Sequence, residues 1–367
     1  MDFSFTPEQD EAAELAARIL KDRATPARMT EVEKAGDRFD RDLWRELGEA
    51  GLLSLPLPEQ HGGAGLGLVE LCRVLVEVGR YVAPVPLAVH GPAALLLAEA
   101  AGDEVAAQWL PGAATGEHVL AAAVAEERSH LPARPTVTAT PSGDAWRLTG
   151  SKAIVRAGTS ARLLLVTAST DDGVGVFLVE PGEPGVELTP QRTSDGDTVA
   201  RVDLTGAPAR ALGPVDGTLA RRLGELLTVC AAAEQLGVTE GALHLTASYA
   251  KTREQFGRPI GTFQAVSQRL ADGYIDVFAQ RLTLWAAVAK VAERQPAEVE
   301  VATAKLWAAD AGHRLAHTTV HVHGGVGIDL DGEAHRYFTS AKRFEFSFGG
   351  ATEQALTIGR ALAAEPA

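Results

Sequence analysis

At 367 residues, with 46% apolar and 22% charged side chains, the chain is too long for one simple core and has the composition of a folded protein of two or three domains. Its net charge of −14, with Lys and Arg scattered rather than pooled, excludes a nucleic-acid binder, because nothing would offset phosphate repulsion. Two distant cysteines fit a reducing compartment, the opening Met1-Asp-Phe-Ser-Phe5 lacks the basic and apolar regions of a secretion signal, and no apolar run could span a bilayer; a cytoplasmic protein without a membrane partner is expected.

From Thr6 to about Gly116 the pattern is helical. Thr6-Pro7-Glu8-Gln9 combines an N-cap hydroxyl, a first-turn proline and a glutamine three residues on. Leu15, Ile19, Leu43, Leu47, Leu71, Leu75 and Val78 recur at helical spacing. Gly62-Gly63-Ala-Gly65-Leu-Gly67 interrupts them. No strand precedes it and no Lys-Ser/Thr follows, so it predicts a turn feeding the next helix rather than a phosphate loop.

From about Glu117 to Arg210 the period becomes alternating. Trp146–Gly150, Leu163–Ala168, Val174–Val179 and Val199–Leu204 are strand-like runs separated by Gly, Pro, Asp and Ser clusters, which predicts a small antiparallel barrel or sandwich. From about Gly217 onward the chain is helical again, with stripes on Leu219–Leu236, Phe263–Val288 and Leu306–Val320. Helices of roughly thirty residues span about 45 Å, and such lengths joined by short turns predict an antiparallel bundle. The fold class expected is therefore α+β multidomain. Its domains are 1–116 (helical), 117–210 (β) and 211–367 (helical bundle).

One stretch between the long helices carries the most chemistry. Arg253-Glu-Gln-Phe-Gly-Arg-Pro-Ile-Gly-Thr-Phe-Gln264 places a fixed cation, a tight turn and an aromatic-amide pair within twelve residues. Such a turn can present a guanidinium to a pyrophosphate in bidentate fashion. Together with Pro58-Glu-Gln-His-Gly-Gly-Ala-Gly-Leu-Gly67, Leu148-Thr-Gly-Ser-Lys152 and His323-Gly-Gly-Val-Gly327, this stretch makes the chain resemble the acyl-CoA dehydrogenases over essentially its full length. The resemblance implies a helical domain, a middle β domain and a C-terminal four-helix bundle. It implies FAD bound between subunits, an acyl-CoA or similar acyl thioester as substrate, assemblies of two or four chains, and an electron-transfer flavoprotein as acceptor. Within it, Arg253 is expected at the FAD pyrophosphate of a neighbouring subunit, with Phe256 and Gln264 beside the dinucleotide. Gly324, Gly325 and Gly327 should let the cofactor approach the backbone. His321 stands where the family usually has glutamine.

The reaction removes a proton from Cα of the thioester and passes a hydride from Cβ to flavin N5, so it needs a base and a clamp on the thioester oxygen. The departures from the family pattern fall on these parts. Val124-Ala-Glu-Glu-Arg-Ser129-His130 replaces the Thr-Glu-Pro-x-Ala-Gly-Ser-Asp loop over the flavin, and Ile154-Val-Arg-Ala157 replaces Trp-Ile-Thr-Asn beside its ring. Gly349 stands where the base glutamate precedes a Gly-Thr pair, and the alternative base position on the first bundle helix falls at Leu227, with Glu225 two residues off. Glu345 and Glu353, one turn to either side of Gly349, are weak candidates that fit solvated helix charges better. His313, His317 and His321 recur every four residues with His323 nearby, but no carboxylate or cysteine completes a ligand set on that stripe, apart from Asp310 slightly off it; no metal is expected, and histidines at a subunit or flavin interface are. Three functions remain. The first is an FAD-dependent acyl-CoA dehydrogenase subunit whose paralogue supplies the glutamate, as in actinobacterial α2β2 enzymes acting on bulky thioesters such as steroid side chains. The others are a catalytically silent scaffold subunit and a self-sufficient homotetramer with a displaced base.

Overall fold

The computed structural model describes residues 4–364; Met1–Phe3 and Glu365–Ala367 lie outside the described residues, so the opening segment read above is described only from Ser4. The helices α1 (Pro7–Arg23), α2 (Pro26–Ala35), α3 (Arg41–Glu49), α4 (Leu68–Arg80), α5 (Leu87–Ala100) and α6 (Asp103–Thr115) come first. Strands follow as β1 (Leu120–Ala123), β2 (Thr138–Ser142), β3 (Ala145–Arg156), β4 (Leu163–Ser169), β5 (Val174–Val179), β6 (Val186–Arg192) and β7 (Thr198–Ala211). Then come α7 (Thr218–Thr252), the hairpin β8 (Glu254–Gln255) and β9 (Arg258–Pro259), and α8 (Gln264–Ala292), α9 (Glu298–His323), α10 (Ala334–Phe346) and α11 (Ala351–Ala364). The chain packs as two compact units. One holds residues 35–71 and 84–230, the other residues 1–34, 72–83 and 231–367.

Local sequence explains the element ends. Gln9 N donates to Thr6 Oγ1 (3.4 Å) and Thr6 N to Gln9 Oε1 (3.0 Å), which forms the reciprocal cap expected at the start of α1. The Gly62–Gly67 segment is a turn ahead of α4. A Cβ at Gly63 would meet Leu57 O at 1.9 Å, so only glycine lets the turn fold back on itself.

In the first unit the strands run β4-β2-β3-β7-β5, and β5 also pairs with β4, so the sheet closes on itself. β1 joins outside the ring, parallel to β4, with Leu120 opposite Leu163. The sheet is therefore mixed rather than wholly antiparallel. Alternating apolar residues reveal a strand but not its direction, and here the β2–β3 hairpin is itself the crossover that a parallel pair requires. Leu148, Leu164, Val166, Phe177 and Val202 fill the interior.

Two buried polar groups mark this unit. Lys152 on β3 is fully buried; its Nζ donates to Glu126 Oε1 (2.8 Å), Thr167 Oγ1 (3.1 Å) and Val124 O (3.3 Å). Burial pushes the lysine down to about 8. Glu126 also accepts from Thr136 N (2.8 Å), Thr136 Oγ1 (2.7 Å) and Val137 N (3.2 Å), so one carboxylate ties both ends of the 126–137 segment. Burial opposes its charge, but the hydrogen bonds from Lys152 and Thr136 carry its pKa below the ordinary value.

His90 sits in α5, whose residues Leu87–Leu97 are all buried because the helix is apolar around its whole circumference. Leu120 N donates to His90 Nδ1 (3.1 Å), so Nε2 carries the hydrogen and donates to Ala113 O (3.1 Å). Burial pushes the imidazole down to about 4 from an ordinary 6.5. As pH falls, the unfolded chain therefore takes the proton first. Stability is unaffected by this group above about 6.5 and is lost as pH falls toward 4, by about 3 kcal/mol at the lower end. Urea midpoints of the wild type and a His90→Gln chain at both pH values check this: the variant should be less stable at neutral pH and should lose less on acidification.

In the second unit α9 lies against α8, α10 and α11. The later part of α7 crosses the end of α4 with little space between backbones. A Cβ at Gly79 would meet Glu234 O at 1.9 Å, and one at Gly237 would meet Val76 O at the same distance. Polar side chains thread this bundle, and Gln235 Oε1 and Gln280 Nε2 are left without a hydrogen-bond partner among the described residues. Thr239 Oγ1 donates to Gln280 Oε1 (2.7 Å), Gln235 Nε2 to Ala308 O (3.2 Å) and Thr246 Oγ1 to Thr319 Oγ1 (3.1 Å). No described helix is long and apolar enough to cross a membrane.

Candidate cofactor-binding site

α7 stops at Thr252 and hands the chain to Arg253. The Arg253 backbone is fixed on both sides: its N donates to Tyr249 O (2.8 Å), and its O accepts from Ile260 N (2.8 Å). Between them Gln255 pairs with Arg258 across a two-residue loop, Phe256 (φ 54°) and Gly257 (φ 76°). Two left-handed residues in succession make the primed turn that suits a strand's twist. Phe256 bears an unfavourable φ there, and its ring is 92% exposed at the tip. It lies edge-on to Phe263 (6.0 Å), which in turn faces the Arg258 guanidinium (4.2 Å).

A cavity of about 560 Å³ opens beside this hairpin. Its lining includes Arg253, Tyr249, His323, Gly324, Gly325 and Asp329. Among the expected site residues it thus brings together Arg253, Gly324 and Gly325. Gln264, the first residue of α8, and His321, in the last turn of α9, are exposed outside the lining, as is Phe256. Gly327 is buried and outside the lining, and a Cβ there would meet Val320 O at 2.7 Å. A Cβ at Gly324 or Gly325 would meet nothing within 4 Å, so both leave backbone facing open space. Arg253 is exposed and has no ion-pair partner among the described residues, so its donors are available to an anion.

The floor pairs His323 with Tyr249, the residue that sequence reasoning missed. Tyr249 and His323 stack with centroids 4.3 Å apart and planes 22° apart. His323 Nδ1 donates to Thr319 O (2.8 Å), which fixes the ring. Tyr249 stands one helical turn before Arg253, and that spacing was the signal available. An open groove lined by an unpaired guanidinium, two flat rings and two glycines suits a dinucleotide's diphosphate.

The region expected beside the flavin ring is different. Ile154 takes φ 52° at an irregularity between β3 and β7 and is half exposed. Arg156 turns inward, with Nε donating to Asp197 Oδ2 (2.9 Å) and a guanidinium nitrogen to Val85 O (3.3 Å). The pocket beside Arg156, Ala157 and Phe39 is about 20 Å³, room for one water.

The turn between α10 and α11 carries Phe348 at φ 58° and Gly349, buried, at φ 96°. It is held from three sides. Gln354 Nε2 donates to Phe348 O (2.9 Å), Gly350 N donates to Glu353 Oε2 (3.0 Å), and buried Lys305 donates to Phe344 O (2.9 Å) and Glu345 O (3.2 Å). Burial pushes Lys305 down to about 7. Glu353 is thus a helix cap. The Glu345 carboxylate lies between Lys342 Nζ (2.5 Å) and His313 Nδ1 (3.1 Å). Leu227 is buried in α7, and Glu225 is partly buried beside it. The spaced histidines divide: His313 and His317 sit together (4.6 Å), His317 meets Phe338, and His323 turns to Tyr249. No group of His, Cys, Asp or Glu suited to a metal occurs among the described residues.

Comparison with known proteins follows the same lines. Residues 6–117 match the acyl-CoA dehydrogenase N-terminal domain and residues 227–363 the acyl-CoA dehydrogenase C-terminal domain. The chain is 47% identical over 377 residues to acyl-CoA dehydrogenase FadE27 of Mycobacterium tuberculosis, covering 100% of both. It superposes on a chain of the ChsE4-ChsE5 complex from Mycobacterium tuberculosis with a TM-score of 0.95 at 47% identity, covering 100% of each. It superposes on a chain of a Tcur3481-Tcur3483 steroid ACAD variant with a TM-score of 0.93 at 44% identity, covering 97% of this chain and 98% of that one. With matched domains at both ends and relatives aligned from end to end, the chain belongs to the acyl-CoA dehydrogenase family, whose members are FAD-dependent oxidoreductases acting on the CH–CH bond of acyl-CoA.

Proposed function

We propose that this chain is one subunit of a hetero-oligomeric, FAD-dependent acyl-CoA dehydrogenase, and that a paralogous subunit supplies the catalytic glutamate. One contrast carries the reading. Arg253 stands unpaired beside an open groove, while Gly349 occupies the base position with both neighbouring glutamates already engaged. FAD, when bound, supplies the hydride acceptor. This chain's part is to bind: Arg253 holds the diphosphate, Gly324 and Gly325 admit it to the backbone, and Tyr249 and His323 floor the groove. Phe256, Gln264, His321 and Gly327 flank or support that groove. We place the ring with the partner, because the 124–130 and 154–157 segments of this chain depart from the family pattern beside the flavin.

The named relatives support the assembly and the substrate class: one is a two-protein complex and another a steroid ACAD. A bulky CoA thioester such as a steroid side chain is the substrate we assign, with an electron-transfer flavoprotein as acceptor and the cytoplasm as location. We take 1–116, 117–210 and 211–367 as the functional domains.

Co-expression with candidate paralogues tests this. The isolated chain should carry little flavin, and the complex should carry FAD and bleach it with an acyl-CoA. Stoichiometric FAD bleached by the isolated chain would overturn the reading. A Gly349→Glu chain alone should still fail to bleach flavin. A side chain at φ 96° is strained, and a Cβ there would meet Glu353 Oε2 at 2.7 Å and Gln354 Nε2 at 2.8 Å.

A further inference from the structure

We propose that His323 is a direct ligand of the anion held beside Arg253, and that its Nε2 takes up a solvent proton as that anion binds. The inference rests on the reading of the groove as a diphosphate site. His323 is nine-tenths buried yet lines the groove. Its Nδ1 lies 2.8 Å from Thr319 O, and a carbonyl only accepts, so Nδ1 carries a hydrogen. In the neutral ring Nε2 is then a lone pair, and no side chain or backbone group among the described residues bonds to it. A lone pair repels a phosphate oxygen. A proton there turns the same contact into a charge-assisted hydrogen bond.

The groups around the ring act on that proton in opposite directions. The Tyr249 ring, stacked at 4.3 Å, offers its π face to an imidazolium. Arg253, at the end of the same helix, repels a second cation in an empty groove. Asp329, on the turn after α9, is the carboxylate facing the site; its Oδ1 accepts from Asp331 N (3.0 Å). The diphosphate's own charge therefore brings the proton. Binding and proton uptake are linked, and affinity should fall by about tenfold per pH unit on the alkaline side.

The test is FAD titration of the flavin-stripped complex by calorimetry from pH 6.5 to 8.5, in two buffers of different ionisation heat. The wild-type complex should take up close to one proton per FAD at the alkaline end and show the steep affinity loss. His323→Asn keeps a donor for Thr319 O and removes Nε2. It should bind more weakly, with less than about twofold change in affinity over the same range and no uptake. Should that variant fail to assemble, Tyr249→Leu gives a second reading: with the stacking partner gone, the uptake should shrink. Equal slope and equal uptake in variant and wild type overturn the proposal. Arg253→Ala separates the two ideas. If it binds FAD as the wild type does, the diphosphate reading itself fails; if it loses FAD while His323→Asn keeps the full pH slope, only the role of His323 fails.

Discussion

Arg253→Ala is expected to weaken FAD binding by the assembled protein by roughly 100-fold or more. Two charge-assisted hydrogen bonds from one guanidinium are each worth about 1.5–3 kcal/mol, and about 1.4 kcal/mol is a tenfold change in affinity. The side chain makes no ion pair inside the fold, so its removal should leave the melting temperature of the isolated chain nearly unchanged. Arg253→Lys should recover part of the loss, since it restores charge without the planar fork. Release of FAD fluorescence on dilution measures all three proteins. A loss of melting temperature matching the loss of flavin would mean that the guanidinium holds the fold rather than the cofactor.

Lys152→Ala is expected to destabilise the β-containing unit by about 3–5 kcal/mol, because it strands the buried Glu126 carboxylate without its cation. The paired change Lys152→Met with Glu126→Gln should cost much less than the single one. It removes both charges, and an amide oxygen can still accept from Thr136. Chemical denaturation of the three proteins checks this. The 126–137 segment should also become the first part of the unit to exchange its amide hydrogens in the alanine variant, since Glu126 ties both its ends. Equal losses in the single and double variants would show that packing of the lysine stem, not its charge, holds the segment.

Much of the fold was legible in the sequence because its signals are local. The Thr6–Gln9 cap, the apolar stripes of the long helices and the alternating runs around Leu148 and Val166 each declare an element without help from elsewhere. What stayed hidden depends on residues distant in the chain. The parallel partner of β1 lies some forty residues on, and periodicity carries no direction. The ion pair of Lys152 with Glu126 joins a familiar motif to a departing loop, and neither half announces the other. In the groove, Arg253 and the glycines stood out by type and spacing. Tyr249 and His323 became visible as a floor only when two helices brought them face to face. The Phe256 ring, expected beside a nucleotide held between subunits, stands exposed at the hairpin tip. A two-residue primed loop decides that direction, and Phe-Gly is not one of its usual signatures.

The left-handed pair Phe348 and Gly349 has a consequence for heredity. A carboxylate gained at φ 96° by exchanging one codon costs stability, because any L side chain arriving there meets strain before it meets substrate. On the reading that a paralogue supplies the glutamate, this acts as a ratchet: the gene persists only alongside the one that carries the glutamate, and deleting either should leave the cell with the same growth defect.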